Sequence, residues 1–97
     1  MFVGIVRIEL HLPAARSLKD KRSVVQGLKA RLAQLHVAVA EVDGQDFWQR
    51  AVLGVAAVSG EIAYLDELPG KIESVVLREP RAQLLRIARD VRPMETP

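Results

Sequence analysis

The order in which two hydrophobic periodicities alternate along this chain constrains its fold more than any other feature. From Phe2 to Leu12 the even positions (Phe2, Gly4, Val6, Ile8, Leu10, Leu12) are apolar or small, while the odd ones run from Val3 and Ile5 to Arg7, Glu9 and His11. A period of two predicts a strand with one buried face, ended by Pro13, which has no N–H for a ladder. Residues 18–35 change period. Leu18, Val25, Leu28, Leu32 and Leu35 fall in one sector at about 100° per residue, which predicts an amphipathic helix. Residues 36–43 and 47–59 read as extended again, joined through an Asp43-Gly44 turn. The Val- and Ala-rich stretch 47–59 shows little polar alternation, as a central strand does. Ile62, Leu65, Leu68, Ile72, Val75 and Val76 predict a second helix over 61–78, capped by Ser59, with a kink or two abutting segments at Pro69-Gly70 and an end at Pro80. A last strand is expected over 83–92, with Leu85, Ile87 and Val91 on one face beside Arg89, and Arg86, Asp90 and Arg92 on the other.

Strand, helix, strand, strand, helix, strand, with both helices apolar on one side, is the pattern of a two-layer α+β sandwich. Right-handed crossovers put the first and third strands in the middle. The expected fold is ferredoxin-like: an antiparallel four-stranded sheet in the order 4-1-3-2, with both helices on one face. A chain of 97 residues makes one domain of this kind, taken as 1–92, followed by a flexible tail at 93–97 with two prolines. No cysteine is present, which excludes disulfides, thiolate metal sites and cysteine nucleophiles. Arg7 and Glu9 interrupt the first apolar run, so neither a signal peptide nor a membrane span is expected, and the expected location is the cytoplasm.

Chemistry concentrates at Ser17-Leu18-Lys19-Asp20-Lys21-Arg22, the start of the first helix. Ser17 is suited to accept from the free N–H groups of the first turn, and Asp20 to reach back to the Ser17 N–H in a capping box. Lys19, Lys21 and Arg22 crowd the same turn, with Arg16 just outside it. Cations there oppose the helix dipole by about 0.3–1 kcal/mol each when exposed, so a helix built for stability alone prefers acids. Free N–H groups beside cations suit a phosphate or carboxylate. Lys21 falls inside the apolar sector, where it either snorkels with its stem packed or aims its amine at a carboxylate or anion. Residues 16–31 hold six basic side chains against Asp20, whereas 61–80 hold five acids against two bases. That asymmetry either attracts an acidic partner or draws the two helices together.

The expected topology gathers His11, the helix start, Glu41, Asp43, Asp46, Trp48 and Arg50 along one edge. The candidate anion- or RNA-binding residues are Arg16, Ser17, Lys19, Lys21, Arg22, Trp48 and Arg50. The competing arrangement is an internally paired rim, Lys21 or Arg50 with Glu41 and Arg22 with Asp46. Enzymatic readings are weak. Ser17, His11 and Asp20 form a triad only if the histidine lies between the other two in space. His11, Glu41, Asp43 and Asp46 show no metal-ligand spacing, and no phosphate-cradling glycine motif is present. No enzyme activity, cofactor or metal is therefore expected. His36 is a surface residue favoured by the helix C-terminus.

The order His11-Leu12-Pro13, Ser17-Leu18-Lys19-Asp20-Lys21-Arg22, Val39-Ala40-Glu41-Val42-Asp43, Trp48-Gln49-Arg50-Ala51 and Gly54-Val55-Ala56 resembles the YlxP-like proteins, small bacterial proteins with a domain of unknown function. The resemblance covers most of residues 1–80. It departs in the last strand, where related sequences look acidic and this one carries Arg86, Arg89 and Arg92. It implies the ferredoxin-like fold and a bacterial cytoplasmic home, and no established activity. Family genes often neighbour genes of translation and ribosome maturation, which points towards RNA or a ribosomal particle as partner.

Two functional expectations follow. In the first, the basic helix start binds RNA backbone, in a salt-sensitive and weakly sequence-selective way. An RNA-recognition motif shares the topology but stacks bases on aromatics of its middle strands; here those strands offer only Phe2, and Phe47 and Trp48 at a strand start, so stacking across the sheet is disfavoured. In the second, Val3, Ile5 and Val52 or Val58 leave apolar surface on the uncovered sheet face, and the protein is a homodimer through that face.

Overall fold

The computed structural model describes residues 1–94, with β1 (Phe2–His11), α1 (Leu18–Ala33), β2 (Ala38–Asp43), β3 (Arg50–Ser59), α2 (Ile62–Leu77) and β4 (Gln83–Pro93) in chain order. The four strands form one sheet in the order β2-β3-β1-β4, and every neighbouring pair is antiparallel. This is the expected ferredoxin-like α+β sandwich. Val6, Ile8 and Leu10 of β1, with Leu12 just after it, join one buried cluster with Val24, Val25, Leu28 and Leu32 of α1 and Leu65, Leu68, Ile72 and Val76 of α2. Both helices therefore cover the even face of β1. Gly4 marks the closest approach of the layers: a Cβ there would lie 3.1 Å from Leu65 Cδ2. No helix among the described residues is long and apolar enough to cross a membrane.

Several boundaries move, each for a local reason. α1 ends at Ala33 and the chain turns through His36, whose φ of 61° is left-handed, so β2 begins at Ala38 instead of His36. β3 begins at Arg50 instead of Phe47, because residues 44–49 form a turn started by Gly44 at φ 74°. The sheet also extends past residue 92. Pro93 pairs with Phe2, so the first residue of the expected tail belongs to the sheet, and the Met94 N–H donates to the Met1 carbonyl at 2.8 Å just beyond it; 95–97 lie outside the described residues.

α2 runs as one helix through Pro69, so the expected division into two abutting segments does not occur. Leu65, Leu68, Ile72 and Val76 are all fully buried on its inner face, each worth about 1.5–3 kcal/mol. Together they outweigh the roughly 3 kcal/mol that an interior proline costs. Its N-cap is Glu61 without a side-chain cap; Ser59 Oγ instead accepts the Glu61 N–H, two residues on. In β4 a bulge skips Leu85, so Leu84 pairs with Leu10 and Ile87 with Ile8. Leu84, Ile87 and Val91 pack on the core, whereas Leu85 is exposed, opposite to the expected face. Arg89, opposite Val6 on the helix side, donates to the Asp66 carbonyl of α2 at 3.1 Å.

Candidate nucleic-acid interface

The first turn of α1 is closed by its own residues. Ser17 is extended (φ −161°, ψ 166°), and its Oγ accepts the Asp20 N–H at 3.0 Å. Asp20 Oδ2 accepts the Arg16 N–H at 2.9 Å, one residue earlier than a capping box requires. Ser17 is thus a cap, and the acid at the positive pole of the helix belongs to the chain. Arg16, Lys19 and Arg22 remain exposed, and among the described residues no carboxylate lies within ion-pair distance of any of them.

Lys21 leaves the set of external anion contacts. It is only 2% exposed, and its Nζ lies 2.8 Å from Glu41 Oε2 and donates to the carbonyls of Gly44 and Gln45. The cause is its place in the apolar sector of α1, which faces the sheet. Glu41 pairs with Leu53 on that same inner face, so the amine meets a carboxylate and not solvent. Of the expected internal rim, then, the Lys21–Glu41 pair forms, while Arg22–Asp46 and Arg50–Glu41 are not among the ion pairs of the described residues.

The turn above this amine carries the aromatics. Gly44 N–H donates to Asp43 Oδ1 at 2.8 Å and the Phe47 N–H to the Gly44 carbonyl at 3.1 Å. Gln49 fastens the turn to the chain ahead of α1. Its Nε2 donates to Pro13 O at 3.1 Å and Ala15 O at 3.2 Å, while its own carbonyl accepts the Leu12 N–H at 2.9 Å. Phe47 and Trp48 are left 60% and 52% exposed. With His11, Asp46, Gln49 and Arg50 they line an open cleft of about 550 Å³. His11 and Arg50 are register partners on the face of the sheet away from the helices, and His11 Nδ1 sits 3.0 Å from the Gln49 carbonyl. The imidazole therefore donates to the Gln49 carbonyl, and no hydrogen bond joins it to Ser17.

The candidates accordingly divide into two groups on either side of one rim. Arg16, Lys19 and Arg22 stand with the helices; Trp48 and Arg50 stand in the cleft with His11. Lys21 and Gln49 hold the two groups to one another. The sequence put Phe47 and Trp48 at a strand start and Asp46 on the same edge, and gave Gln49 no role. The available signal was two adjacent aromatics flanking a Gly-containing turn, with no apolar partner at strand spacing.

Beyond the cleft, Glu9 lies among Arg7, Arg50 and Arg86 on the open sheet face. The hydrogen bond from Arg7, with the charges of all three guanidinium groups, holds its carboxyl below the usual range. Ile5, Val42 and Val58 are half or more exposed. Register puts Ile5 and Val58 on this face, and Val42 lies over Gly54 there.

Residues 3–89 match a family described as a protein of unknown function (DUF503). The chain is similar to the uncharacterized protein YlxP of Bacillus subtilis (strain 168), at 32% identity over 88 residues, covering 78% of this chain and 95% of that protein. It is also similar to the solution NMR structure of a de novo designed protein with ferredoxin fold, at 16% identity and a TM-score of 0.41, over 97% of this chain and 88% of the other.

Proposed function

We propose, for a chain that belongs to the DUF503 family of proteins of unknown function, that it is a small non-enzymatic binding protein of the bacterial cytoplasm that holds RNA through its phosphates. The observation that carries this reading is the set of three exposed cations, Arg16, Lys19 and Arg22, at a helix start where none of them makes an ion pair among the described residues. Arg50 and Trp48 extend the surface across the rim. The partner is RNA in a ribosomal or translation-associated particle. Binding of this kind depends steeply on salt, since each phosphate neutralised releases counterions. The test is fluorescence anisotropy of labelled single-stranded RNA over a salt series. Replacing Arg16, Lys19 and Arg22 together with Ala should weaken binding at least about tenfold and lower the salt slope by about 2. Unchanged binding by the triple variant, with an unchanged circular dichroism spectrum, overturns the reading.

The open sheet face supports a second reading, a homodimer without a nucleic-acid role. Ile5, Val42 and Val58 form an apolar strip, and Arg7, Arg86 and Arg92 share that face with Glu9 and Asp90, so it carries both charges. Sedimentation velocity over a concentration series decides it: a monomer at the highest concentration rules the dimer out.

A further inference from the structure

We infer that the cleft beside β1 and β3 seats one unpaired nucleobase of the bound RNA, stacked on Trp48 and chosen for an exocyclic amino group by Asp46. The inference rests on the RNA-binding reading above and names what this part of the surface recognises.

Three observations carry it. Phe47 and Trp48 are two of the chain's four aromatic residues, and both are more than half exposed although their turn is fixed by the Gln49 and Lys21 hydrogen bonds. A scattered exposed apolar residue needs no explanation, but two adjacent aromatics on a hydrogen-bonded turn, lining one open and largely apolar hollow, offer ring faces to a flat ligand. A pre-fixed platform loses little freedom on binding, and aromatic faces are what unstacked bases pack against.

The polar groups then specify the ligand. Arg50 makes no close ion pair among the described residues, although its charge also acts on Glu9, and its guanidinium is suited to a phosphate oxygen. His11 donates from Nδ1 to the Gln49 carbonyl, which leaves Nε2 as its second polar atom. Asp46 is exposed, and among the described residues its side chain has neither a hydrogen bond nor an ion pair. A carboxylate repels phosphate and only accepts hydrogen bonds, so it suits the amino group of cytosine or adenine. Uracil has no amino group and offers only its N3–H, set between two carbonyl oxygens that face the carboxylate unfavourably.

Trp48 is the only tryptophan of the chain, so its emission reports this cleft alone. Short single-stranded oligomers of adenylate, cytidylate and uridylate are titrated at fixed salt, following Trp48 emission and the anisotropy of a labelled strand together. The adenylate and cytidylate strands should quench Trp48 saturably and bind about tenfold more tightly than uridylate. Trp48→Ala should weaken adenylate binding about tenfold while leaving the salt slope unchanged, with Trp48→Phe retaining most of it. Asp46→Asn should erase the preference against uridylate. If anisotropy shows binding that depends on Lys19 and Arg22 while Trp48 emission stays constant, the cleft is not a base site, and the RNA reading survives. Equal affinity for all three strands overturns the role of Asp46. Adenosine monophosphate binding as tightly as the oligomer overturns the assignment to RNA, and no binding of any strand overturns both readings.

Discussion

Lys21 Nζ lies 2.8 Å from Glu41 Oε2, joining α1 to β2 beneath the turn that presents Trp48. The contact is one of charge, since Glu41 Oε2 makes no aligned hydrogen bond, and the amine gives its directed bonds to the carbonyls of Gly44 and Gln45. A buried pair is expensive to break from one side, because the remaining charge keeps its desolvation cost. Glu41 retains some exposure, which moderates that cost. Lys21→Met is expected to destabilise the protein by about 2–4 kcal/mol in urea unfolding. Lys21→Met with Glu41→Gln should cost less than the single change. Neither should alter the salt slope of RNA binding, in contrast to the exposed cations beside it.

Glu79 ties the end of α2 to two arginines from different parts of the chain. Arg81 reaches its Oε1 at 2.7 Å and Arg31 of α1 at 3.2 Å, while Glu79 itself is buried. Hydrogen bonds from Arg81, outweighing burial, lower its pKa from 4.5 to about 2. A carboxyl with a depressed folded-state pKa adds stability that is complete above pH 4.5 and lost as pH falls towards 2. Both guanidinium groups are substantially exposed, so the contribution is about 2 kcal/mol and not the full value of the shift. Thermal unfolding from neutral pH downwards should show the wild type losing stability more steeply below pH 4.5 than Glu79→Gln, the two curves converging near pH 2.

The continuity of α2 makes two surface changes favourable. Gly70 sits in the helix interior with nothing within 4 Å of the position a Cβ would take. Gly70→Ala should therefore stabilise by about 0.5–1 kcal/mol. Pro69→Ala restores an N–H at a helical position and should add about 1–2 kcal/mol, part of the gain being offset by a freer unfolded chain. Urea midpoints of the two variants check both. A loss of stability in Pro69→Ala would mean that the proline fits this helix better than its missing hydrogen bond implies.

Sheet order, helix faces and the inward set of β1 were readable because each rests on a period that one stretch of sequence displays by itself. Leu85 was misplaced because a bulge shifts parity by one residue and leaves no mark in composition. The fate of Lys21 lay between two readings for a related reason. Its sector was visible, but the carboxylate waiting for it comes from β2, twenty residues on, through a pairing only the fold makes. Arg16, Lys19 and Arg22 were legible as a basic cluster at the helix start, though not whether Arg22 would pair with Asp46. Gln49 was not, since a lone glutamine after a tryptophan carries no pattern.

That glutamine gives the last expectation. Its Nε2 bridges Pro13 O and Ala15 O, so one side chain holds the chain ahead of α1 against the aromatic turn. Gln49→Ala removes two hydrogen bonds, one to the exposed Pro13 and one to the buried Ala15, so the cost to global stability is modest, about 1–2 kcal/mol. The local effect is larger. Amides of residues 44–49 should exchange faster with deuterated solvent while those of α2 and β1 keep their protection. Trp48 emission should become more depolarised, as the ring gains motion. RNA affinity should fall although no cation and no aromatic has been removed, because a loosened platform must be ordered on binding. Unchanged exchange at 44–49 would show that Lys21 holds the turn without help.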